Sequence, residues 1–313
     1  MDQEERRGPP AVKAASVDLS GKPTINTAFQ RIGLSCLAQL TANREGVLRG
    51  EDSESVHQMR VAIRRLRSAL NVFAAVVPKP LSATLAARLG ALGGCLGEAR
   101  DWDVFIADAL PAVPAGDPAA GMFAELRRHA LARRDQAREA ARAAVNSARY
   151  RALTAALRAW FGRAGWRGKM AAAETAALDR MVVPFARRQL DRRCRRLRRQ
   201  SKHLAALPPA ERHAVRIAAK KLRYATEFFL PLFPAKPARR YVKALAALQD
   251  VLGTLNDCAT ARRLLAELSA APETRATAAT LAAADAREAQ ALARLDTLWR
   301  RFTRRRAFWR RTA

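Results

Sequence analysis

The chain has 313 residues, enough to bury a full core in two domains or in one large duplicated one. Its 57 Lys and Arg against 28 Asp and Glu leave a formal net charge of +29, a field that draws phosphate-rich polyanions and repels cations. No apolar run approaches the roughly 18 residues of a membrane span, and Met1-Asp2-Gln3-Glu4-Glu5-Arg6-Arg7 lacks the positive end and apolar stretch of a signal peptide, so a cytoplasmic protein is expected.

Residues 1–22, with Pro9, Pro10 and Gly21, read as a flexible leader ahead of one domain over 23–313. From there nearly everything is predicted helical. Ala, Leu and Arg are strong helix formers, and apolar residues recur at spacings of three and four. Breaks fall near Arg49 to Asp52, Pro78-Lys79-Pro80, Pro111 to Gly121, Gly162 to Gly168, Pro208-Pro209, Pro231 to Pro237 and Ala271-Pro272. They divide the chain into two halves, about 24–162 and 172–311, each of about four helices. The expected fold class is all-α.

Two segments share one pattern: His57-Gln58-Met59-Arg60-Val61-Ala62-Ile63-Arg64-Arg65-Leu66-Arg67 and His213-Ala214-Val215-Arg216-Ile217-Ala218-Ala219-Lys220-Lys221-Leu222-Arg223. Without a gap, the offset of 156 residues between them also takes Phe73 to Phe229, Pro78 to Pro234, Leu92 to Leu248, Leu96-Gly97 to Leu252-Gly253 and Asp101 to Asp257. Self-similarity at a fixed offset marks a duplicated unit.

Each motif opens a helix. Asp52 or Ser53 can cap the first, and Pro208-Pro209 suits the first turn of the second, so both histidines lie near helix N-termini that already favour an anion. At about 100° per residue, Arg60, Arg64 and Arg67 fall on one stripe with His57, away from an apolar side made by Met59, Ile63, Leu66, Leu70 and Phe73. Arg65 sits on the flank. His213, Arg216, Lys220 and Arg223 repeat the stripe, with Lys221 on its flank. Guanidinium groups about one helical turn apart can bind successive phosphates through paired, charge-assisted hydrogen bonds.

Residues 187–202 form a further basic helix in which Arg188, Arg192, Arg195, Arg199 and Lys202 share a face and Asp191 is the only acid. The positions 156 earlier, Ile32, Cys36, Gln39, Asn43 and Gly46, carry no charge, which predicts an asymmetric site held more by the second half. The C-terminal stretch mixes seven arginines between Arg300 and Arg311 with Trp299, Phe302, Phe308 and Trp309. It reads either as a basic-aromatic binding tail or as a last helix that packs its aromatics inward. Asp101 and Asp257 read as carboxylates that position arginines or cap turns. Cys36, Cys95, Cys194 and Cys258 form no Cys-x-x-Cys pair and read as reduced, mostly buried thiols.

The two histidine motifs (the second ending in Tyr224), with Leu96-Gly97-Glu98-Ala99-Arg100-Asp101 and Leu252-Gly253-Thr254-Leu255-Asn256-Asp257, resemble the signatures of the CHAD domain, the conserved histidine α-helical domain, over about residues 24–311. The resemblance implies two pseudo-symmetric four-helix bundles around a basic groove or pore, and the binding of inorganic polyphosphate. By motif position it implies a ligand-facing set of His57, Arg60, Arg64, Arg65, Arg67, His213, Arg216, Lys220, Lys221, Arg223 and Tyr224. The leader has no Glu-x-Glu-x-Lys motif, so a stand-alone domain without a triphosphate-processing CYTH domain is expected. The expected function is non-enzymatic, needs no cofactor or metal, and places the chain on polyphosphate chains or granules, with polyphosphate-metabolising enzymes as further partners. Two alternatives stay open: a nucleic-acid-binding helical protein and a metal-dependent polyphosphate hydrolase.

Overall fold

The computed structural model describes residues 9–49, 53–111, 118, 120–200, 203–268 and 274–310, and among them regular structure is helical apart from one isolated bridge between Thr24 and Met181. The first helix, α1 (Ile25–Ala42), starts where the Thr24 hydroxyl oxygen accepts from the Thr27 amide at 3.1 Å. A short α2 (Arg44–Arg49) leads to the first motif helix, α3 (Ser53–Phe73). Pro78 precedes α4 (Lys79–Val104) and Pro80 lies in its first turn, where a missing N–H costs nothing. That helix runs into a π turn, Phe105–Ala109.

One break has no strong sequence signal. α5 (Ala120–Asn146) and α6 (Ala148–Gly162) are separated at Ser147, whose hydroxyl accepts from the Tyr150 amide at 3.1 Å and donates to the Ala144 carbonyl at 2.7 Å. The chain continues through α7 (Ala172–Leu178), α8 (Val182–Arg198), the second motif helix α9 (Pro209–Phe229), α10 (Ala235–Leu268) and α11 (Arg275–Thr303), which Thr274 caps. The bounds of α3 and α9 differ by 156 residues at both ends.

Packing follows the apolar stripes. α3 lies against α1 and α4, α9 lies against α8 and α10, and α3 and α9 meet each other. At that meeting Phe29, Phe73, Phe185 and Phe229 form one cluster, with centroids 4.4 Å apart for Phe29–Phe73, 5.2 Å for Phe73–Phe185 and 6.1 Å for Phe73–Phe229. The four are two pairs at the same offset of 156. Backbone bonds from Ile25 N to Arg180 O at 2.9 Å and from Val182 N to Pro23 O at 3.1 Å tie the starts of α1 and α8 together.

One expectation changes here, and one of two open readings is decided. The part of the leader from Pro9 onward is not free of the bundle: Val17 and Leu19 are buried in the core, and the Val12 N–H and carbonyl both bond the Asn43 side chain at 2.9 Å. The pairing satisfies an extended backbone that proline content alone suggested would stay solvated. At the other end, Trp299, Phe302, Phe308 and Trp309 are all buried, three of them against Tyr241, and Trp309 Nε1 donates to Asp191 at 2.8 Å. The single acid of the basic helix therefore anchors the C-terminal aromatics. Cys36, Cys194 and Cys258 are buried free thiols, and Cys95 is exposed. No helix among the described residues is long and apolar enough to cross a membrane.

A candidate anion-binding cavity between the motif helices

The stripes of α3 and α9 meet in a cavity of about 570 Å³. His57, Arg60 and Arg64 enter from α3, and Arg216 and Lys220 from α9. Each helix turns its apolar side to the core, which forces its basic stripe to the opposite side and into this space. Arg100, Arg263 and Arg287 complete a wall of seven Lys and Arg, against Asp101, Asp108 and Asp257.

The carboxylates hold the cations in place. Asp101 lies 3.7 Å from Arg60 Nη2 and 3.5 Å from Arg263 Nη2, linking α3, α4 and α10. The Arg60 side chain passes directly over Gly97, where a Cβ would stand 2.6 Å from Nη1. Arg60 Nη1, Arg64 Nε and Arg216 Nε are buried without a hydrogen-bond partner in the chain. Buried donors of this kind carry a desolvation cost that an anionic oxygen would offset.

The cavity's electrostatics are those of crowded cations. Burial, then the Arg216 and Arg64 guanidinium groups, depress the Lys220 ammonium to about 7, with Asp257 opposing. Burial lowers Arg60 and Arg216 as well. His57 is pushed below the ordinary imidazole range by burial and then by Arg100, with Glu54 opposing and Arg64 and Arg60 adding to the depression. Asp257 is raised by burial, against a hydrogen bond from Asn256 and the nearby Arg216 and Lys220. Every one of these shifts disfavours the charged form, and a bound polyanion would reverse those of the cations.

Not all of the expected ligand set reaches this cavity. Arg65 is 3% exposed, donates to Gln39 Oε1 at 3.0 Å and lies 5.8 Å from the Phe228 ring centroid, so its role is internal. Its place on the flank of α3 puts it against α1, which corrects the reading of Arg65 as ligand-facing. Tyr224 packs against the core, Arg67 is exposed beside Gly90, and Arg223 bonds Glu227 at 2.6 Å and Gln249 at 3.2 Å. His213 opens on an adjoining space of about 330 Å³ that shares Arg216 and Asn256 with the central cavity. Arg188 and Arg195 of α8 and Arg199 at its C-cap are exposed away from the cavity, while Arg192 of α8 and Lys221 of α9 line a separate groove. Lys202 lies outside the described residues.

Three cavity arginines were missed from the sequence. Arg100 sits inside the repeated Leu-Gly element and had a signal. Arg263 and Arg287 had none, because the positions 156 earlier are Ala107 and Leu131. Only the packing of α10 and α11 brings them in.

The fold and cavity define an all-helical protein with a cationic centre between two like helices. The family model of the CHAD domain matches residues 31–266, and the chain belongs to the CHAD domain family. It is similar to the crystal structure of the CHAD domain from the plant Ricinus communis, at 35% identity and a TM-score of 0.78 over 95% of this chain and 98% of that one. PptA from Streptomyces chartreusis shares the fold at 18% identity and a TM-score of 0.61, over 90% of this chain and 98% of that one. No curated protein matches the chain.

Proposed function

We propose that this chain binds inorganic polyphosphate without processing it, and that its two halves are copies of a four-helix unit related by a pseudo-two-fold axis through the α3–α9 contact. The observation that carries the first part is the convergence of Arg60, Arg64, Arg216 and Lys220, from both motifs, on one cavity. The repeat-related phenylalanine pairs and the matching bounds of α3 and α9 support the second.

Polyphosphate presents a charge at every phosphate and no bases, so it calls for dense cations without stacking platforms. The cavity has that character. Nucleic acid would draw on the basic-aromatic tail, but those aromatic rings are spent on the core. Hydrolysis would need carboxylates free to hold a metal, and Asp101 is engaged by two arginines. No phosphate release is expected when the protein is incubated with polyphosphate and Mg²⁺ or Mn²⁺. In the cell this reading puts the protein on polyphosphate chains or granules in the cytoplasm, with polyphosphate-metabolising enzymes as further partners.

The test is competition for labelled long-chain polyphosphate at about 150 mM salt, where weak surface attraction is screened. Unlabelled polyphosphate displaces the label, and duplex DNA or RNA at equal phosphate concentration does not. Equal displacement by nucleic acid would overturn selectivity. Neutralisation of about 6 to 10 phosphates would cost about 10³ to 10⁵ in affinity between 50 and 200 mM salt, by analogy with DNA.

A further inference from the structure

Lys221 follows Lys220 by one residue, a rotation of about 100° around α9, and opens on a different cavity. This groove of about 380 Å³ lies between α8, α9 and the end of α3, and shares no lining residue with the central one. Lys79, Arg192, Arg193, Arg196 and Lys221 line it, and no carboxylate does.

Arg193 is fixed but not neutralised. Its Nη1 donates to Gln189 Oε1 at 2.6 Å and to the Gln189 carbonyl at 3.3 Å, and its Nη2 to the Asn71 carbonyl and Oδ1, both at 3.2 Å. All four acceptors are neutral groups. Burial and then Arg192 depress the guanidinium to about 10. Lys221 is lowered by burial and then by Arg196, Arg193 and Lys79.

The matching place in the first half is closed. At the offset of 156, Arg192, Arg193 and Arg196 become Cys36, Leu37 and Leu40, all buried, and Lys221 becomes the internal Arg65. The leader lies over that side, with the Ala15 carbonyl 3.5 Å from Arg65 Nη2 and Val17 and Leu19 in the core. In the second half nothing among the described residues covers the groove in the same way, and cations replace the apolar lining.

We propose that the groove of Lys79, Arg192, Arg196 and Lys221 is a second anion site, for phosphate groups, independent of the central cavity. It rests on the polyphosphate reading for its ligand class, while its position and charge stand without that reading. A long condensed phosphate that engaged both sites would gain from the effective concentration of the second contact.

Calorimetric titration of the full chain with tripolyphosphate tests this. Two sites are expected. The variant Arg192→Gln/Arg196→Gln/Lys221→Gln keeps Arg193, which ties α8 to α3, and should lose one site or weaken it by at least about tenfold, the loss of one charge-assisted hydrogen bond or more. Arg64→Gln/Lys220→Gln should lose the other. Circular dichroism should show unchanged helicity in both. A triple variant that titrates like the wild type overturns the second site and leaves the central one standing. An Arg64/Lys220 variant that titrates like the wild type, beside a triple variant that loses a site, overturns the central reading alone. If tripolyphosphate does not bind the wild type, both fall. A parallel titration with orthophosphate assigns the groove to the free ion if it binds there, and to condensed phosphate if tripolyphosphate alone does.

Discussion

Gly97 and Gly253 occupy equivalent positions of the repeat, yet a side chain would meet different surroundings at each. A Cβ at Gly97 would strike Arg60 Nη1, whereas one at Gly253 would have nothing within 4 Å. The obstructed atom is the end of a flexible side chain, so Gly97→Ala should move Arg60 rather than disrupt α4. It should even gain up to about 1 kcal/mol in helix propensity. The expected result is weaker polyphosphate binding by roughly tenfold, one charge-assisted contact, with an unfolding midpoint equal to or above that of the wild type. Gly253 also lines the cavity but its added methyl would meet no side chain, so Gly253→Ala should weaken binding less than Gly97→Ala. Lys220 supplies the second residue-scale expectation. With its ammonium depressed to about 7 in the free protein, it should take up a proton when phosphate binds. The bound form holds more protons, so the Lys220 contribution to affinity should be level at acid pH and fall as pH rises above about 7. Calorimetry at about pH 8 in buffers of different ionisation enthalpy should reveal the uptake, and Lys220→Arg should abolish it. The same depression has the opposite sign for folding. The unfolded chain, with an ordinary lysine near 10.5, binds more protons than the native one above about pH 7, so this group's contribution to stability should rise as pH rises from about 7 to 10.5.

Within α3, adjacent arginines do unlike work because the helix turns them to different neighbours. Arg64 faces the cavity. Arg65 heads a buried chain of hydrogen bonds in which it donates to Gln39, Gln39 Nε2 donates to Gln58 Oε1 at 3.0 Å, and Gln58 Nε2 donates to Glu54 at 2.7 Å. Arg65→Ala leaves the Gln39 oxygen unsatisfied and should cost about 1–3 kcal/mol or more, read as a lower denaturant midpoint, with polyphosphate affinity per folded molecule unchanged. Arg64→Ala should do the reverse. In α8 the division is similar. Asp191 serves the C-terminal aromatics, Arg193 bridges to α3, Arg198 donates to the Arg305 carbonyl at 2.8 Å, and Arg188, Arg192, Arg195 and Arg196 are left to solvent or ligand. Sequence reading recognised these helices and their basic faces, because period and composition are local properties. It set Arg64 on the stripe and Arg65 on its flank, but it could not tell that the flank position is internal, because only the position of α1 decides that.

For the whole molecule, the cluster of Phe29, Phe73, Phe185 and Phe229 determines how the two motif helices meet. Phe73 touches the other three rings and is fully buried. Phe73→Ala should therefore cost about 3–5 kcal/mol, measured by chemical unfolding, and should also weaken anion binding, because it loosens the contact that brings Arg64 and Arg216 to one space. The all-helical class, the helix breaks near Pro78, Gly162 and Pro208, the repeat and its basic stripes were legible from local pattern and spacing. They need no knowledge of what lies across the core. The expected breaks at 50–52 and 271–272 lie outside the described residues. The cavity's remaining walls were not legible. Arg263 and Arg287 have no repeat counterpart, the packed leader breaks no compositional rule until its partners are known, and the depression of Lys220 comes first from burial, with Arg64 across the cavity adding to Arg216 one turn away. The sequence by itself determined that the chain is helical and which faces of the motif helices are cationic, because both follow from interactions within a few residues. Tertiary structure alone decided which cations share a cavity and which are internal, because desolvation and hydrogen-bond partners depend on elements brought together only when the helices pack.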